Sequence, residues 1–254
     1  MLNISGVQQK IYMIVHVYSI TKNDEYFLPY FLRHYTTFAD RIFLFDDRSQ
    51  DKTVEIAKAN DKVSVCSVNW PEGGWTDYND SLLWLDAYKR YSRDIADWVI
   101  IVDSDEIVYH ANILDVLTKH KDHGEKLLKT RGFAMFSEEL PTTEGQIYEQ
   151  CNTGIRVKEF DKPIIFNPSI DVFFRPGRHY VYYERYNPGE WWIPRKHCGI
   201  KLLHYKYLSK EFCVRRTYNY STKKEAEKRS NSLKYWELGV NRIKDGSITN
   251  ILNS

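Results

Sequence analysis

Four short apolar runs set the frame of this chain. They are "IYMIVHVYS" (Ile11–Ser19), "RIFLFDD" (Arg41–Asp47), "KVSVCSV" (Lys62–Val68) and "WVIIV" (Trp98–Val102). Each is short and mostly β-branched or aromatic, which marks a buried strand rather than a helix. The stretches between them read as helices. "YFLPYFLRHYTTF" starts near Tyr26, because Pro29 is tolerated only in a first turn. "RSQDKTVEIAKAN" offers Ser49 or Asp51 as an N-cap, and "TDYNDSLLWLDAYKRYSRD" is long enough for several turns. Strand alternating with helix predicts an α/β fold with a mostly parallel sheet and helices on its faces.

The alternation breaks after Glu106. "ILDVLTKH" predicts a helix and "GFAMF" a strand. The stretch 144–194 is rich in Tyr, Phe, Pro and Gly and reads as a mixed, partly antiparallel half, "GIKLLHYKY" as a further strand, and "STKKEAEKRSNSLKYWEL" as a charged terminal helix. Without an internal repeat or low-complexity linker, one domain over 1–254 is the expectation: a half over 1–106, a second half over 107–220 and a helical segment over 221–254.

In a sheet of this kind ligands bind outside the carboxyl ends of the strands. Three of the four expected strand ends carry polar clusters: Thr21–Glu25, Asp46–Asp47, and Asp103, Ser104, Asp105 and Glu106. Carboxylates this close repel one another beside a core unless a cation or hydrogen-bond donors compensate. Two acids with one residue between them suit a divalent ion that shares its shell with a diphosphate, which points to Mn²⁺ or Mg²⁺ at Asp103 and Asp105. Asp46 and Asp47 read equally as a turn and helix cap.

With 36 basic and 34 acidic residues the chain lacks the positive excess of a nucleic-acid binder. Cys66, Cys151, Cys198 and Cys213 are far apart, so reduced thiols in a cytoplasmic protein are expected rather than a zinc site. The opening "MLNISGVQQK" is too polar for a secretory signal, and no apolar run reaches the roughly 20 residues of a membrane span. Peripheral contact with the cytoplasmic face of a membrane stays compatible with the 15% aromatic content. His16 reads as a core histidine and His179 as part of a turn; Trp191 and Trp192 read as core or as a sugar platform.

Three stretches together resemble GT-A glycosyltransferases of the family 2-like kind, close in pattern to a group that also resembles family 92. They are "TKNDEYFLPYFLRHY", "RIFLFDDRSQDKT" and "DWVIIVDSDEIV", in order over roughly the first 110 residues. The resemblance implies a GT-A fold and a metal-dependent enzyme. It would transfer a sugar from a nucleoside-diphosphate donor, a UDP-sugar in the first instance, to a hydroxyl of a glycan, lipid-linked or other acceptor, with inversion. It implies nucleotide binding by Thr21, Asn23 and Asp47 with Asp46 beside them, Asp103 near ribose and metal, Asp105 as direct metal ligand, and His204 of "LLHYKYLSKEF" as a further ligand. Lys206, Lys210, Arg215 and Arg216 are then candidates to hold the diphosphate. Inverting transfer needs a general base; Glu138 and Glu139 are expected there, with Asp161, Asp171 and Glu184 as other candidates. Three other readings share features of this pattern: a phosphohydrolase of haloacid dehalogenase type, a non-catalytic sugar-nucleotide-binding module, and a nucleotidyltransferase. The last would show a glycine-rich loop where "TKNDE" has none.

Overall fold

A computed structural model of the chain describes residues 12–70, 76–142, 144–183, 194–218, 223–244, 246 and 248–252. Strand β1 (Val15–Thr21) leads through a polar turn into helix α1 (Leu28–Tyr35), followed by β2 (Arg41–Asp46), α2 (Thr53–Lys58) and β3 (Val63–Ser67). Next come α3 (Asp77–Tyr91), β4 (Trp98–Ile101) and β5 (Glu106–Tyr109), then α4 (Ile113–Asp122) and the long β6 (Leu127–Phe136). A short α5 (Ile147–Gln150) precedes β7 (Thr153–Arg156), a 3-10 turn (Lys158–Phe160), β8 (Ile165–Phe166) and the hairpin strands β9 (Val172–Phe174) and β10 (Val181–Tyr183). The eleven-residue β11 (His197–Tyr207), α6 (Lys210–Tyr218), α7 (Lys223–Lys244) and β12 (Thr249–Asn250) complete the elements.

The principal sheet runs β12-β7-β6-β8-β4-β1-β2-β3, with β11 beside β6 and β5 beside β11. The four strands β4-β1-β2-β3 are all parallel, as their alternation with helices requires. β8 enters antiparallel between β4 and β6, and β7 is antiparallel to β6. The expected α/β sheet with a mixed second half is therefore what the chain forms.

Alternation along the strands sorts side chains to two faces. Val15 and Val17, Ile42 and Leu44, and Trp98 and Ile100 pack with Leu28, Phe31 and Tyr35 of α1 and Leu117 of α4. Tyr18, Phe43, Phe45, Val99 and Ile101 face the other way, onto Trp84, Ala87 and Tyr88 of α3 and Phe174 of β9. Pro29 sits in the first turn of α1, as expected. The expected cap of α2 is displaced: its N-cap position is Lys52, and Asp51, one residue earlier, accepts the amide of Thr53 at 3.0 Å. His16 is a satisfied core histidine, its Nδ1 lying 2.7 Å from Ser92 Oγ. The four cysteines form no disulfide. No helix among the described residues is long and apolar enough to cross a membrane.

α1 is tied to β5 by His34, a buried side chain whose Nε2 donates to the carbonyl of Val108 at 2.9 Å. Burial lowers the imidazole to about 4, only partly opposed by that hydrogen bond. The folded protein thus resists a proton that the unfolded chain accepts near the ordinary histidine value. Stability is expected to be unaffected by this group above about pH 6.5 and to fall as pH drops from there toward 4. Urea unfolding from pH 8 to pH 4, for the wild type and His34→Gln, checks this; the variant should show a shallower slope in that window, the remainder coming from groups such as His16 and His179 that burial also lowers.

Candidate active site

Because β1, β2 and β4 are parallel, their carboxyl ends open on one edge, and the turns that follow are brought together there. The turns after β1 and β2 are stitched to each other. The amide of Asn23 donates to Ser49 Oγ (2.9 Å), that of Asp24 to Thr53 Oγ1 (2.7 Å) and that of Glu25 to Asp51 Oδ2 (3.0 Å). In return Gln50 and Lys52 donate their amides to Asn23 Oδ1 (2.8 Å) and Glu25 Oε2 (3.2 Å). Asn23 itself has φ 52°, a left-handed conformation that Asn tolerates better than most residues.

Of the expected nucleotide-binding residues, Asn23 is therefore part of the scaffold. Thr21 Oγ1 donates to Asp24 Oδ2 at 3.0 Å, and Asp46 accepts the amide of Ser49. Asp47 is buried, with Lys22 at 3.0 Å and Arg48 at 3.3 Å, both exposed cations. Asp24 Oδ2 also accepts from Ser104 Oγ at 2.8 Å, which joins the first turn to the acid turn after β4.

The acids of that turn have three different environments. Glu106 opens β5 and is wholly buried; its Oε1 meets Lys162 Nζ at 2.5 Å and its Oε2 accepts the amide of Asp103 at 3.1 Å. Asp103 pairs with Arg178 through Oδ1, and its Oδ2 lies 3.7 Å from Lys162 Nζ. Desolvation would lift this carboxyl, but the charges of Arg178 and then Lys162 prevail and bring it down to about 2. Its side chain stays 45% exposed, so solvent screens part of that pull. Asp105 is buried and faces His204 Nε2, 3.3 Å from its Oδ2.

The partners arrive from distant segments. Lys162 precedes β8, Arg178 lies in the turn between β9 and β10, and His204 stands opposite Glu106 where β11 pairs with β5. Arg178 bridges Asp103 to Asp80 of α3 (2.8 Å), and Asp80 also accepts from Trp84 Nε1 (2.9 Å). Burial works against the charge of Arg178, and Asp103 and Asp80 more than offset it. His179, read from sequence as a turn residue, is in that turn and also close enough to be pushed below its ordinary value, by burial first and then by Lys162. The backbone amide of Tyr205 donates to the carbonyl of Asp105 at 2.9 Å, and the Phe160 ring packs on His204.

A divalent ion suits part of this set. Two donors on neighbouring vertices of an octahedron of radius about 2.1 Å lie about 3 Å apart, close to the Asp105–His204 separation. Asp103, expected as a third ligand, is turned to the cations instead. Among the described residues no three His, Cys, Asp or Glu side chains converge as a metal cage. Asp80, Asp103, Asp105 and Glu106 outnumber the two cations paired with them, Lys162 and Arg178.

Glu138 and Glu139, the expected base, lie exposed beyond β6, and Glu138 pairs with Lys244 of α7 at 3.2 Å. The other base candidates divide. Asp161 is held by Gly132 N, Arg156 and His197, and Asp171 by Lys89 and Arg93. Glu184, Trp191 and Trp192 lie outside the described residues, as do the side chains of Arg215 and Arg216. Lys206 is exposed on β11 with its ammonium over the Tyr207 ring, and Lys210 is exposed at the start of α6. Sequence reasoning missed Lys162, Arg178 and Asp80. The one available signal for Lys162 was a charged residue one position removed, across Pro163, from the apolar "IIF" of "DKPIIF".

No protein-family model matches the chain, and neither does any curated protein. Among solved structures, glucosyl-3-phosphoglycerate synthase from Mycobacterium tuberculosis, in complex with Mn²⁺, UDP and glucosyl-3-phosphoglycerate, is 20% identical over 48% of this chain and 44% of that one, with a TM-score of 0.35. TarS of S. aureus is 14% identical over 85% of this chain and 41% of that one, with a TM-score of 0.43. Its 1–349 form is 14% identical over 91% and 73%, with a TM-score of 0.42. The chain spans less than half the length of the first two. These likenesses are distant, and the α/β assignment rests on the strand order and connections given above.

Gly132 in β6 controls where Lys162 sits. A Cβ there would collide with the backbone of Phe160, two residues before Lys162, and the Gly132 amide already donates to Asp161 at 2.9 Å. Gly132→Ala is expected to cost about 1–3 kcal/mol, read as a lower urea midpoint at unchanged slope.

Proposed function

We propose that this chain is a metal-dependent glycosyltransferase of the GT-A kind, moving a sugar from a nucleoside-diphosphate donor, a UDP-sugar in the first instance, to an acceptor hydroxyl with inversion. The observation that carries the reading is the Asp105–His204 pair, 3.3 Å apart, at the carboxyl edge of a parallel sheet. Asp105 and His204 would hold Mn²⁺ or Mg²⁺. When bound, such an ion offsets the charge of the diphosphate, which makes a nucleoside diphosphate a better leaving group.

The chain's own groups do the remaining work. Asp47, buried at the end of β2, is an acceptor for the donor edge of a base, and Lys22 and Arg48 beside it are mobile enough in their exposure to turn toward phosphate. Asp103, ionised, accepts hydrogen bonds from ribose or sugar hydroxyls. The stitched turns hold both acids in place before any ligand arrives, which lowers the entropic cost of binding. A carboxylate of Glu138 or Glu139 takes the acceptor proton; for Glu138 this means leaving Lys244. The acceptor is a hydroxyl of a glycan, a lipid-linked sugar or another molecule.

Calorimetric titration of UDP, GDP, dTDP, CDP and ADP, each with and without Mn²⁺, tests the reading on the wild type, Asp105→Ala and His204→Ala. One nucleotide should bind in the presence of the ion, at least about tenfold more weakly in either variant. If no nucleotide binds and Mn²⁺ changes nothing, the transferase reading is wrong and phosphohydrolase activity becomes the question.

A further inference from the structure

Arg178 stands out among the residues that the proposed chemistry does not use. It is 3% exposed, yet carries a full charge in a hairpin turn. Its backbone is left-handed, φ 59°, a conformation that costs a residue with a Cβ about 1 kcal/mol or more and that persists only where surroundings fix it. Its two terminal nitrogens are divided between two elements: Nη1 donates to Asp80 of α3 at 2.8 Å and Nη2 to Asp103 of the acid turn. Asp80 is in turn oriented by the indole of Trp84, which is fully buried. The result is a continuous line from the core, through Trp84, Asp80 and Arg178, to one oxygen of a half-exposed carboxylate.

A planar guanidinium fixes direction as well as charge, because its donors diverge at set angles. Charge alone is already available to Asp103 from Lys162, at 3.7 Å. Held at Nη1 by Asp80, the guanidinium directs Nη2 at Asp103 Oδ1 from a fixed side, which sets the direction from which that oxygen is engaged. We propose that Arg178, held by Asp80, is a positioning residue that aims Asp103 at a hydroxyl of the bound nucleotide's ribose. The inference rests on the donor-site reading above and adds to it a residue that governs hydroxyl recognition from a part of the chain far from the strand-end motifs.

The test is a cycle between protein and ligand. UDP, 2′-deoxy-UDP and 3′-deoxy-UDP are titrated with Mn²⁺ into the wild type, Arg178→Lys and Asp80→Asn. Arg178→Lys keeps the charge and loses the fork; Asp80→Asn disturbs the line from its far end and keeps the shape. Circular dichroism and melting curves establish that each variant is folded. In the wild type, removal of the hydroxyl that Asp103 receives should weaken binding about tenfold or more, the size of a hydrogen bond to a charged group. In both variants that penalty should shrink to about threefold or less, while UDP itself binds more weakly. A residue that only supported the fold would weaken UDP and both deoxy forms alike, leaving the penalty at its wild-type value, and that result overturns the proposal. If neither deoxy form is weakened in the wild type, Asp103 does not read a ribose hydroxyl and the proposal is likewise wrong. If the panel shows another nucleoside diphosphate to be the one bound, its 2′- and 3′-deoxy forms replace those of UDP; failure of the wild type to bind any of the five overturns the donor-site reading first and this proposal with it, so the two failures have different signatures.

Discussion

The Glu106–Lys162 ion pair is the interaction on which the acid turn depends. A carboxylate with no exposed surface is tolerable only when it is paired and hydrogen-bonded, since removing one partner of a buried pair typically costs about 3–5 kcal/mol. Glu106 meets both conditions, with Lys162 on one oxygen and the amide of Asp103 on the other. That second bond makes the pair more than a local device. It closes the turn that presents Asp103 and Asp105 and brings the ammonium of Lys162 to within 3.7 Å of Asp103. Three carboxylates in four residues are thus not three ligands. One is a tether, one is a hydrogen-bond acceptor flanked by cations, and one faces an imidazole.

The site divides by origin. Its floor comes from the turns after β1 and β2, whose reciprocal side-chain-to-amide bonds satisfy backbone donors that would otherwise need water. Its counter-charges come from the second half of the chain, through the segment before β8, the β9–β10 turn and β11. Asp24 links the two parts by accepting from Thr21 and Ser104 together. The floor is therefore stitched by contacts across 26 to 29 residues, between successive βα turns, and its counter-charges come from partners 56 to 99 residues away.

That division also explains what could be read in advance. The four parallel strands and three helices of the first half follow from apolar periodicity, and strand-end acids follow from where parallel strands stop. β8 could not be found that way, because two residues give no period. Lys162 and Arg178 were hidden for the same reason: each lies in an irregular segment, and its role is set by a partner 56 or 75 positions away. Asp80 looked like one more polar residue on an amphipathic helix. His204 was visible only through resemblance; its place opposite Glu106 depends on the register of β11, which spacing along the chain does not reveal. The bonds that Thr21 and Asn23 make within the turns were not legible for a related reason, since the same short polar side chains that suit a ligand also suit a turn.

The order in which these charges enter the chain has its own consequence. The acid turn is synthesised some sixty residues before Lys162 and about a hundred before His204. β1, β2 and β3 already have one another, but β4 still lacks β8 on its far side, and the turn at its end carries its carboxylates without their cations. The acids of the first half therefore precede their cations, which come with the segments around β8 and β9, and β11, pairing with β5 and β6, brings His204 to Asp105. A chain cut short before β11 would carry the acids and both cations but lack the imidazole that faces Asp105.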